Sequence, residues 1–279
     1  MYLYDYHMHS VNSRDGRNTV TDMCIKAVSK GLKEIAVTDH FEPMLGDEKC
    51  SYYNPGNYFF DVLRGRMIFG SQLRVKCAVE LGQPHLYPED SLELIRSNPY
   101  DYILASVHRA KDHTDFGQVA YSSDNITDYC RIYLDELESL VGWNSFDCIG
   151  HLDLVKRYAM RCDVEVNLMN FRDQLEIILR TLIENGKGIE INTSGLRQGA
   201  GECLPGLDIV KFYRQLGGEI LTIGSDAHSA SDVGEGIQDG IEIARLAGFE
   251  YITVYSERQP FMRRISQRPA VFTFNKRTA

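Results

Sequence analysis

The stretch Asp5-Tyr6-His7-Met8-His9 follows a short apolar run near the start of the chain and sets a pattern that recurs along it. On an extended strand, residues two apart point to the same side, so both imidazoles of this stretch share one face. Four more histidine motifs end or directly follow apolar runs: Thr38-Asp39-His40, Ser106-Val107-His108, Gly150-His151-Leu152-Asp153 and Gly224-Ser225-Asp226-Ala227-His228. A carboxylate, Glu80, ends a further run.

Short apolar runs alternate with longer segments that have helical periodicity. The runs are residues 2–6, 34–38, 75–81, 102–107, 146–150, 188–191, 220–224 and 251–255, and the predicted helices are 19–30, 126–141, 170–185, 207–216 and 231–247. This alternation predicts a parallel sheet with helices outside it. We predict one α/β domain over residues 1–279 that forms a TIM-like barrel. The last run carries no candidate ligand, so a distorted seven-stranded barrel is as plausible as an eight-stranded one.

In such barrels the active site lies at the C-terminal ends of the strands, which is where these motifs fall. Imidazole and carboxylate are the usual ligands of zinc, manganese and iron sites. Histidines that only filled a core would have no reason to gather at one end of successive strands. We therefore predict a metal centre, and we assign His85 and His113, which lack this placement, to the surface or to loops.

The composition is that of a globular protein of 279 residues with a formal net charge of −9. This charge argues against a protein that binds nucleic acid through a general basic surface. We find no apolar run long enough to span a bilayer and no signal peptide, so we expect no membrane partner and a cytoplasmic location. The seven cysteines include no Cys-x-x-Cys pair and are expected to be reduced. The oligomeric state is left open.

Two long loops, 41–57 and 111–124, follow motif strands and are expected to cover the site. The tail from about residue 257 is basic, with Arg258, Arg263, Arg264, Arg268, Lys276 and Arg277. We expect this tail to be solvated, or to close or flank the barrel.

The five histidine motifs and the glutamate, in this order, resemble the PHP (polymerase and histidinol phosphatase) superfamily. The resemblance implies a distorted (β/α)7 TIM-like barrel that holds two or three divalent ions, of zinc, manganese or iron. It implies a first ion on His7, His9, Glu80 and Asp226, a second on Glu80, His108 and His151, and a third on His40 and His228. The remaining ligand of the third ion would be Asp15, although Asp15-Gly16 could also be no more than a turn. Asp39 and Asp153 could orient ligand imidazoles.

Arginine binds phosphate oxygens in a bidentate manner better than lysine does, and two arginines follow strand-end motifs. Taken alone, Arg157 and Arg197 would each be solvated surface residues. Their segments, Gly150-His151-Leu152-Asp153 through Arg157 and Glu190-Ile191-Asn192-Thr193-Ser194-Gly195-Leu196-Arg197, resemble the histidinol-phosphatase branch, in which both arginines hold the substrate phosphate.

The resemblance implies a phosphomonoesterase that hydrolyses L-histidinol phosphate to L-histidinol and phosphate, a late step of histidine biosynthesis. We expect attack by a hydroxide that bridges the metals, since metal charge lowers the pKa of bound water. Asp226, His228 or a metal-bound water would supply a proton to the leaving oxygen.

The charged segment Arg109-Ala110-Lys111-Asp112-His113 departs from the branch, which has an apolar or aromatic residue after Ser-Val-His. The organic part of the substrate is therefore open, and Glu42 or Asp112 could receive its ammonium group. The main alternative is a PHP phosphatase for another small phosphomonoester, such as a nucleotide or sugar phosphate. A polymerase-associated exonuclease and a non-catalytic metal-binding protein are further alternatives.

Overall fold

The computed structural model describes residues 2–43 and 52–265. Its centre is a parallel sheet whose neighbouring strands are β1 (Tyr4–Asp5), β2 (Glu34–Val37), β4 (Arg74–Gly82), β5 (Tyr102–Ser106), β6 (Cys148–Ile149), β7 (Gly188–Asn192) and β8 (Leu221–Gly224). The two-residue β3 (His40–Phe41) pairs with the end of β4. The strands are rich in fully buried aliphatic residues, as expected for a parallel sheet covered by helices.

The sheet curls until the chain beyond β1 meets the end of β8. The Tyr6 amide donates to the Ile223 carbonyl at 3.0 Å, and the His9 amide donates to the Ala227 carbonyl at 2.8 Å. Between these bonds, the Asp226 amide donates to the His7 carbonyl at 2.8 Å. The sheet is therefore a nearly closed barrel, and the predicted distorted (β/α)7 fold is confirmed.

Eight helices lie on the described part of the chain: α1 (Val20–Ser29), α2 (Pro55–Phe69), α3 (Pro88–Ser97), α4 (Ile126–Trp143), α5 (Val155–Met160), α6 (Arg172–Glu184), α7 (Leu207–Gln215) and α8 (Ile237–Leu246). The five predicted helices correspond to α1, α4, α6, α7 and α8. Of these, α8 begins later than predicted, because a short 3-10 helix at Ala230–Asp232 precedes it. Across the described ranges, no helix has both the length and the apolar character needed to cross a bilayer.

Three helices, α2, α3 and α5, were not predicted from the sequence. Both α2 and α3 begin with a proline in their first turn, where its missing N–H costs no hydrogen bond. The predicted loop 41–57 therefore ends before Pro55, and its central residues 44–51 lie outside the described part of the chain. The predicted loop 111–124 contains a short 3-10 helix at Phe116–Gln118.

The eighth apolar run is not a barrel strand. It forms β9 (Tyr251–Ser256), which pairs in antiparallel fashion with β10 (Gln259–Arg264) where the sequence suggested only a basic tail. From β9, Tyr255 packs its ring 4.9 Å from that of Tyr102, and its amide donates to the Tyr6 hydroxyl at 2.8 Å. The hairpin thus packs against the N-terminal end of the barrel, opposite the ends of the strands that carry the histidine motifs. Arg268, Lys276 and Arg277 of the predicted tail lie outside the described residues.

The turn of this hairpin is tied to the N-terminal ends of two barrel strands. The Arg258 Nε donates to the Asp147 carboxylate at 2.7 Å, and the Arg258 amide donates to the Asp101 carbonyl at 2.9 Å. Asp147 directly precedes β6, and it also accepts the Ile103 amide at 2.8 Å. Burial raises the pKa of Asp147, and the guanidinium of Arg258 offsets part of that effect. The contact with Arg258 therefore offsets part of the cost of burying the ionised Asp147 carboxylate in the wall of the barrel.

We expect Arg258→Ala to lower the free energy of unfolding by about 2 kcal/mol, because it leaves the buried Asp147 carboxylate without its charged hydrogen-bond donor. The measurement is urea unfolding, with a lower midpoint at an unchanged m-value. Arg264→Ala is the control, because Arg264 is exposed on the same hairpin, and it should change stability by less than about 0.5 kcal/mol. Equal effects of the two substitutions would show that the Asp147 contact contributes nothing.

Candidate metal centre

The structure brings together every residue that the sequence predicted as a metal ligand. They lie at the C-terminal mouth of the barrel: His7, His9 and Asp15 after β1, His40 on β3, Glu80 in β4, His108 after β5, His151 after β6, and Asp226 and His228 after β8. Parallel strands end at the same edge of the sheet, so motifs far apart in sequence converge there.

A first cluster consists of His7, His9, Glu80 and Asp226, all buried. The Nε2 atoms of the two histidines are 3.0 Å apart. Glu80 Oε2 lies 3.1 Å from His7 Nε2 and 3.4 Å from His9 Nε2. Asp226 Oδ1 lies 3.6 Å and 3.4 Å from the same two nitrogens. Two nitrogens and two oxygens thus surround one point.

A second cluster uses the other oxygen of Glu80. Its Oε1 lies 3.0 Å from His151 Nε2 and 3.4 Å from His108 Nε2. The two imidazole nitrogens are 3.5 Å apart. Glu80 therefore faces each cluster with one carboxylate oxygen, as a bridging ligand would.

A third cluster consists of His40, His228 and Asp15. Asp15 Oδ2 lies 3.0 Å from His228 Nε2 and 3.6 Å from His40 Nε2. Both imidazole rings stack on the ring of His9, with centroids 4.1 and 4.2 Å away. Asp15 is thus a neighbour of both histidines as well as part of a turn.

The outward nitrogens of His7 and His108 each face a carboxylate. Glu190 Oε1 lies 2.7 Å from His7 Nδ1, and Glu42 contacts His108 Nδ1. An imidazole that donates its Nδ1–H keeps a lone pair on Nε2, which is the form that binds metal.

The same tautomer follows for His9 and His228. Ser13 donates its hydroxyl to Asp39 at 2.7 Å, so its oxygen accepts from His9 Nδ1, 3.3 Å away. His228 Nδ1 lies 3.0 Å from the Asp226 carbonyl, which can only accept. The tautomers are thus assigned from the hydrogen-bond network.

These assignments test whether the donor set fits a metal. The lone pairs of His7 Nε2 and His9 Nε2 face each other, and that of His228 Nε2 faces the Asp15 carboxylate. Such contacts are repulsive unless a proton or a metal ion lies between the atoms. Nitrogen and carboxylate oxygen around a cation is the ligand chemistry of zinc, manganese and iron. The residues therefore fit divalent metal ions.

The pKa values of His9 and of the two carboxylates agree with this chemistry. Burial and the neighbouring His40 and His228 lower the pKa of His9 to about 3. Burial alone would raise the pKa of Glu80 and of Asp226, but His7 and the other histidines hold both well below their usual range. Burial would lower the pKa of His7, but Glu190, Glu80 and Asp226 raise it well above its usual range, so a metal ion would have to displace a proton from His7. Neutral imidazole and ionised carboxylate are the forms that a metal requires.

Glu190 is a residue that the sequence analysis missed as part of this centre. It lies in the middle of β7, and the motif that contains it was interpreted only through Arg197. A buried glutamate inside an apolar run was the signal that could have found it. Its carboxylate and His7 both approach Gly224 of β8, where an added Cβ would lie 2.3 Å from Glu190 Oε1 and 2.2 Å from His7 Cβ.

The two aspartates expected to orient imidazoles behave differently. Asp39 reaches His9 only through the Ser13 hydroxyl, so it acts at one remove from the ring. The prediction for Asp153 is wrong, since its carboxylate accepts the Gly206 amide at 3.3 Å and has no contact with the His151 ring. His151 is instead held through its own amide, which donates to Glu190 Oε2 at 2.9 Å.

The two arginines of the predicted phosphate site meet at Asp226. Arg157 on α5 donates from Nη1 to Asp226 Oδ2 and to Ser194 Oγ, both at 3.1 Å. Arg197, which follows a short 3-10 helix after β7, donates from Nη2 to the Asp226 carbonyl at 2.8 Å. Arg157 Nε and Arg197 Nη1 are buried and have no partner among the described residues. The mouth of the barrel thus holds spare cationic donors beside the clusters.

The charged segment after His108 is a tight turn. Arg109 pairs with Asp115 at 2.9 Å, and the Ala110 amide donates to the Thr114 carbonyl at 2.9 Å. His113 lies exposed in this turn, as expected.

His85 lies in the loop between β4 and α3, which was one of the two expectations, but it is not a surface residue. Its side chain is buried, and its Nε2 lies 2.8 Å from Glu136, which also accepts the Lys111 amide at 2.8 Å. Neither His85 nor His113 joins a cluster.

Known proteins resemble this chain over most of its length. Residues 5–194 match the model of the PHP domain. A probable histidinol-phosphatase of Thermotoga maritima is 30% identical over 252 residues, which cover 90% of this chain and 95% of the relative. The crystal structure of a histidinol phosphate phosphatase from Lactococcus lactis, complexed with zinc, L-histidinol and phosphate, superposes with a TM-score of 0.83 at 26% identity, covering 93% of this chain and 98% of that one. This chain belongs to the PHP domain family, within its histidinol-phosphatase branch.

Proposed function

We propose that this protein is a metal-dependent phosphomonoesterase that hydrolyses L-histidinol phosphate to L-histidinol and phosphate. The observation that carries the proposal is the pair of arginines, each with a buried N–H group that has no partner among the described residues, beside three clusters of metal-binding groups. The Lactococcus lactis relative that shares the fold holds zinc, L-histidinol and phosphate together, which supports the same substrate here.

Two or three divalent ions would be held by the three clusters, with Glu80 shared between the first and the second. When bound, such ions lower the pKa of water and neutralise charge on phosphoryl oxygens. Asp15 supplies an oxygen to the third cluster where a histidine is often found, and this harder ligand favours manganese or iron over zinc there.

Arg157 and Arg197 would bind the non-bridging oxygens of the phosphate. Both guanidinium groups already contact Asp226, so they are held beside the first cluster before substrate arrives. Their free N–H groups can donate to an anion without breaking these contacts. Ser194, whose hydroxyl lies 3.1 Å from Arg157 and 3.2 Å from Asp226, helps to fix this geometry.

In the form with two ions, in which the third cluster holds none, we assign the proton for the leaving oxygen to His228. Asp226 stays ionised, because His7 and the other neighbouring cations hold its pKa well below the usual range. Burial would lower the pKa of His228, but its contacts with Asp15 and Asp226 raise it, and its side chain is 27% exposed. While it is not bound to metal, His228 can therefore hold a proton on Nε2 and replace it from solvent.

Glu42 is better placed than Asp112 to receive the substrate ammonium group. Glu42 contacts His108 at the mouth of the barrel, and although burial opposes its ionisation, His108 lowers its pKa to about 2. Asp112 lies exposed in the turn after His108 and accepts the Thr114 amide at 3.0 Å. An ionised carboxylate beside the clusters suits the positively charged amino alcohol.

The test is phosphate release from L-histidinol phosphate by manganese-loaded and zinc-loaded enzyme, beside nucleoside monophosphates and sugar phosphates. We expect kcat/KM for L-histidinol phosphate to exceed the others by at least about 100-fold, the scale for a site that pairs with a substrate's polar groups. A preference for another ester would favour the alternative PHP phosphatase. Full metal loading with no turnover of any ester would indicate a non-catalytic metal-binding protein.

We expect His9→Ala to remove metal and activity while the barrel stays folded, because His9 Nε2 faces both carboxylates of the first cluster. Metal content per chain, measured by plasma mass spectrometry beside circular dichroism, checks this. The control is His113→Asn, since asparagine tolerates the left-handed backbone of His113 at φ 69°. This control should retain the wild-type metal content, and full activity of the His9 variant would contradict the site.

We expect Arg197→Ala to cost about 2–4 kcal/mol of transition-state stabilisation, the scale for losing one oxyanion donor. The measurement is kcat/KM for L-histidinol phosphate, together with inhibition by inorganic phosphate, which should weaken. Arg180→Ala is the control, because Arg180 lies exposed on α6 and pairs only with Glu176 among the described residues. An unchanged kcat/KM in the Arg197 variant would place that residue outside the pocket.

A further inference from the structure

Glu190 makes contacts that no ligand of the metal centre makes. Its side chain is 1% exposed in the middle of β7, and it is not one of the groups that face the three clusters. Its Oε1 lies 2.7 Å from His7 Nδ1, and its Oε2 accepts the His151 amide at 2.9 Å. His7 belongs to the first cluster and His151 to the second. One carboxylate thus holds a member of each.

The contact with His7 determines which nitrogen carries the proton. A carboxylate that accepts from Nδ1 leaves the Nε2 lone pair free toward the cluster. No other anionic group among the described residues lies within ion-pair distance of His7 Nδ1. The amide of Asn192 is 3.4 Å from the same nitrogen, but its Nδ2 is a donor and cannot fix this tautomer.

The contact with His151 helps to fix the backbone position from which its imidazole ring extends. His151 has a φ of 27°, a backbone conformation that L-residues rarely adopt. Its Nδ1 is buried with no partner among the described residues, so no side chain holds its ring from behind. The bond from the His151 amide to Glu190 therefore helps to fix the backbone from which His151 Nε2 points at Glu80, beside the bonds that the His151 carbonyl accepts from the Leu154 amide at 2.8 Å and the Tyr133 hydroxyl at 3.4 Å.

We propose that Glu190 is a positioning residue that couples the first and second clusters, through the His7 ring on one oxygen and the His151 backbone on the other. The inference rests on the proposed metal centre, and it adds a residue that acts through the ligands. A glutamine at position 190 has one acceptor oxygen and one NH₂ group. It can accept a hydrogen bond from either His7 Nδ1 or the His151 amide, but its NH₂ group then faces the other donor. The charge is lost as well.

The test is Glu190→Gln, with Zn²⁺ as the probe. The protein is stripped with a chelator, reloaded, and titrated against a chromogenic zinc chelator, with only the folded fraction from size exclusion used. We expect the affinity for zinc to fall by on the order of 10–100-fold in both clusters, the usual effect of losing a partner of a ligating histidine. His108→Ala, which removes a ligand of the second cluster only, serves as the reference for loss from one cluster.

The matched control is Glu136→Gln. Glu136 is also buried and also accepts from an imidazole and a backbone amide, at His85 and Lys111, yet it touches none of the three clusters. It should keep the wild-type zinc affinity even if it unfolds at lower urea. A merely structural role for Glu190 would give this same result.

Three outcomes would overturn the inference. A titration of the Glu190→Gln variant that superposes on wild type would remove any positioning role, and weakening of one cluster alone would remove the coupling. A wild-type protein that takes up neither zinc in this titration nor manganese in the loading for the activity test would overturn the metal centre and the proposed function with it. If Glu190→Gln does not fold, Glu190→Asp replaces it, because its shorter side chain cannot reach both groups and should lose zinc in the same way.

Discussion

At the mouth of the barrel, imidazole nitrogens face one another and face carboxylate oxygens across 3.0–3.6 Å. The arrangement of the whole site depends on a positive charge that offsets the repulsion between these atoms. Neutral nitrogen and ionised oxygen at such distances repel unless a proton or a metal ion lies between them. The outer contacts of each ring, to Glu190, Ser13 or the Asp226 carbonyl, prevent the rings from turning away. The protein thus maintains an arrangement that only positive charge relieves, and the same positive charge suits a phosphate.

The two ends of the barrel have different tasks. At the N-terminal end, tyrosines from β5 and β9 pack together and the hairpin turn pairs with Asp101 and Asp147. Contacts of this kind stabilise the fold and leave the C-terminal end free to hold groups that would otherwise destabilise it. The barrel thus combines packing contacts at its N-terminal end with a cluster of polar and charged groups at its C-terminal end.

Much of the metal centre could be predicted because most of its residues stand in short sequence patterns that can be recognised without the fold. A histidine at the end of an apolar run is visible without knowing the fold, and five such motifs at strand ends are difficult to explain otherwise. The five predicted helices could likewise be recognised locally, from the spacing of their apolar residues. By contrast, α5 is six residues long and α2 exposes much of its apolar surface, so neither carries a clear periodic signal. The run at β9 was visible, but no local pattern indicates which strand it pairs with.

The contacts behind the ligands could not be predicted, because they join distant parts of the chain. Glu190 meets His7 across 183 positions, and no motif links the two. Ser13 and Asp39 form their relay to His9 only after the turn that follows β1 has folded back on β2. Asp153 illustrates the opposite error, since closeness in sequence to His151 suggested a contact that the helical turn directs elsewhere.

Gly224 has no functional group, yet the space above its α carbon is already taken by His7 and Glu190. Even alanine there would have to push the His7 Cβ or the Glu190 carboxylate aside. The requirement for glycine therefore comes from two other strands, through the Cβ and backbone nitrogen of His7 and the carboxylate of Glu190. A backbone position can in this way be restricted by a centre to which it contributes no functional group.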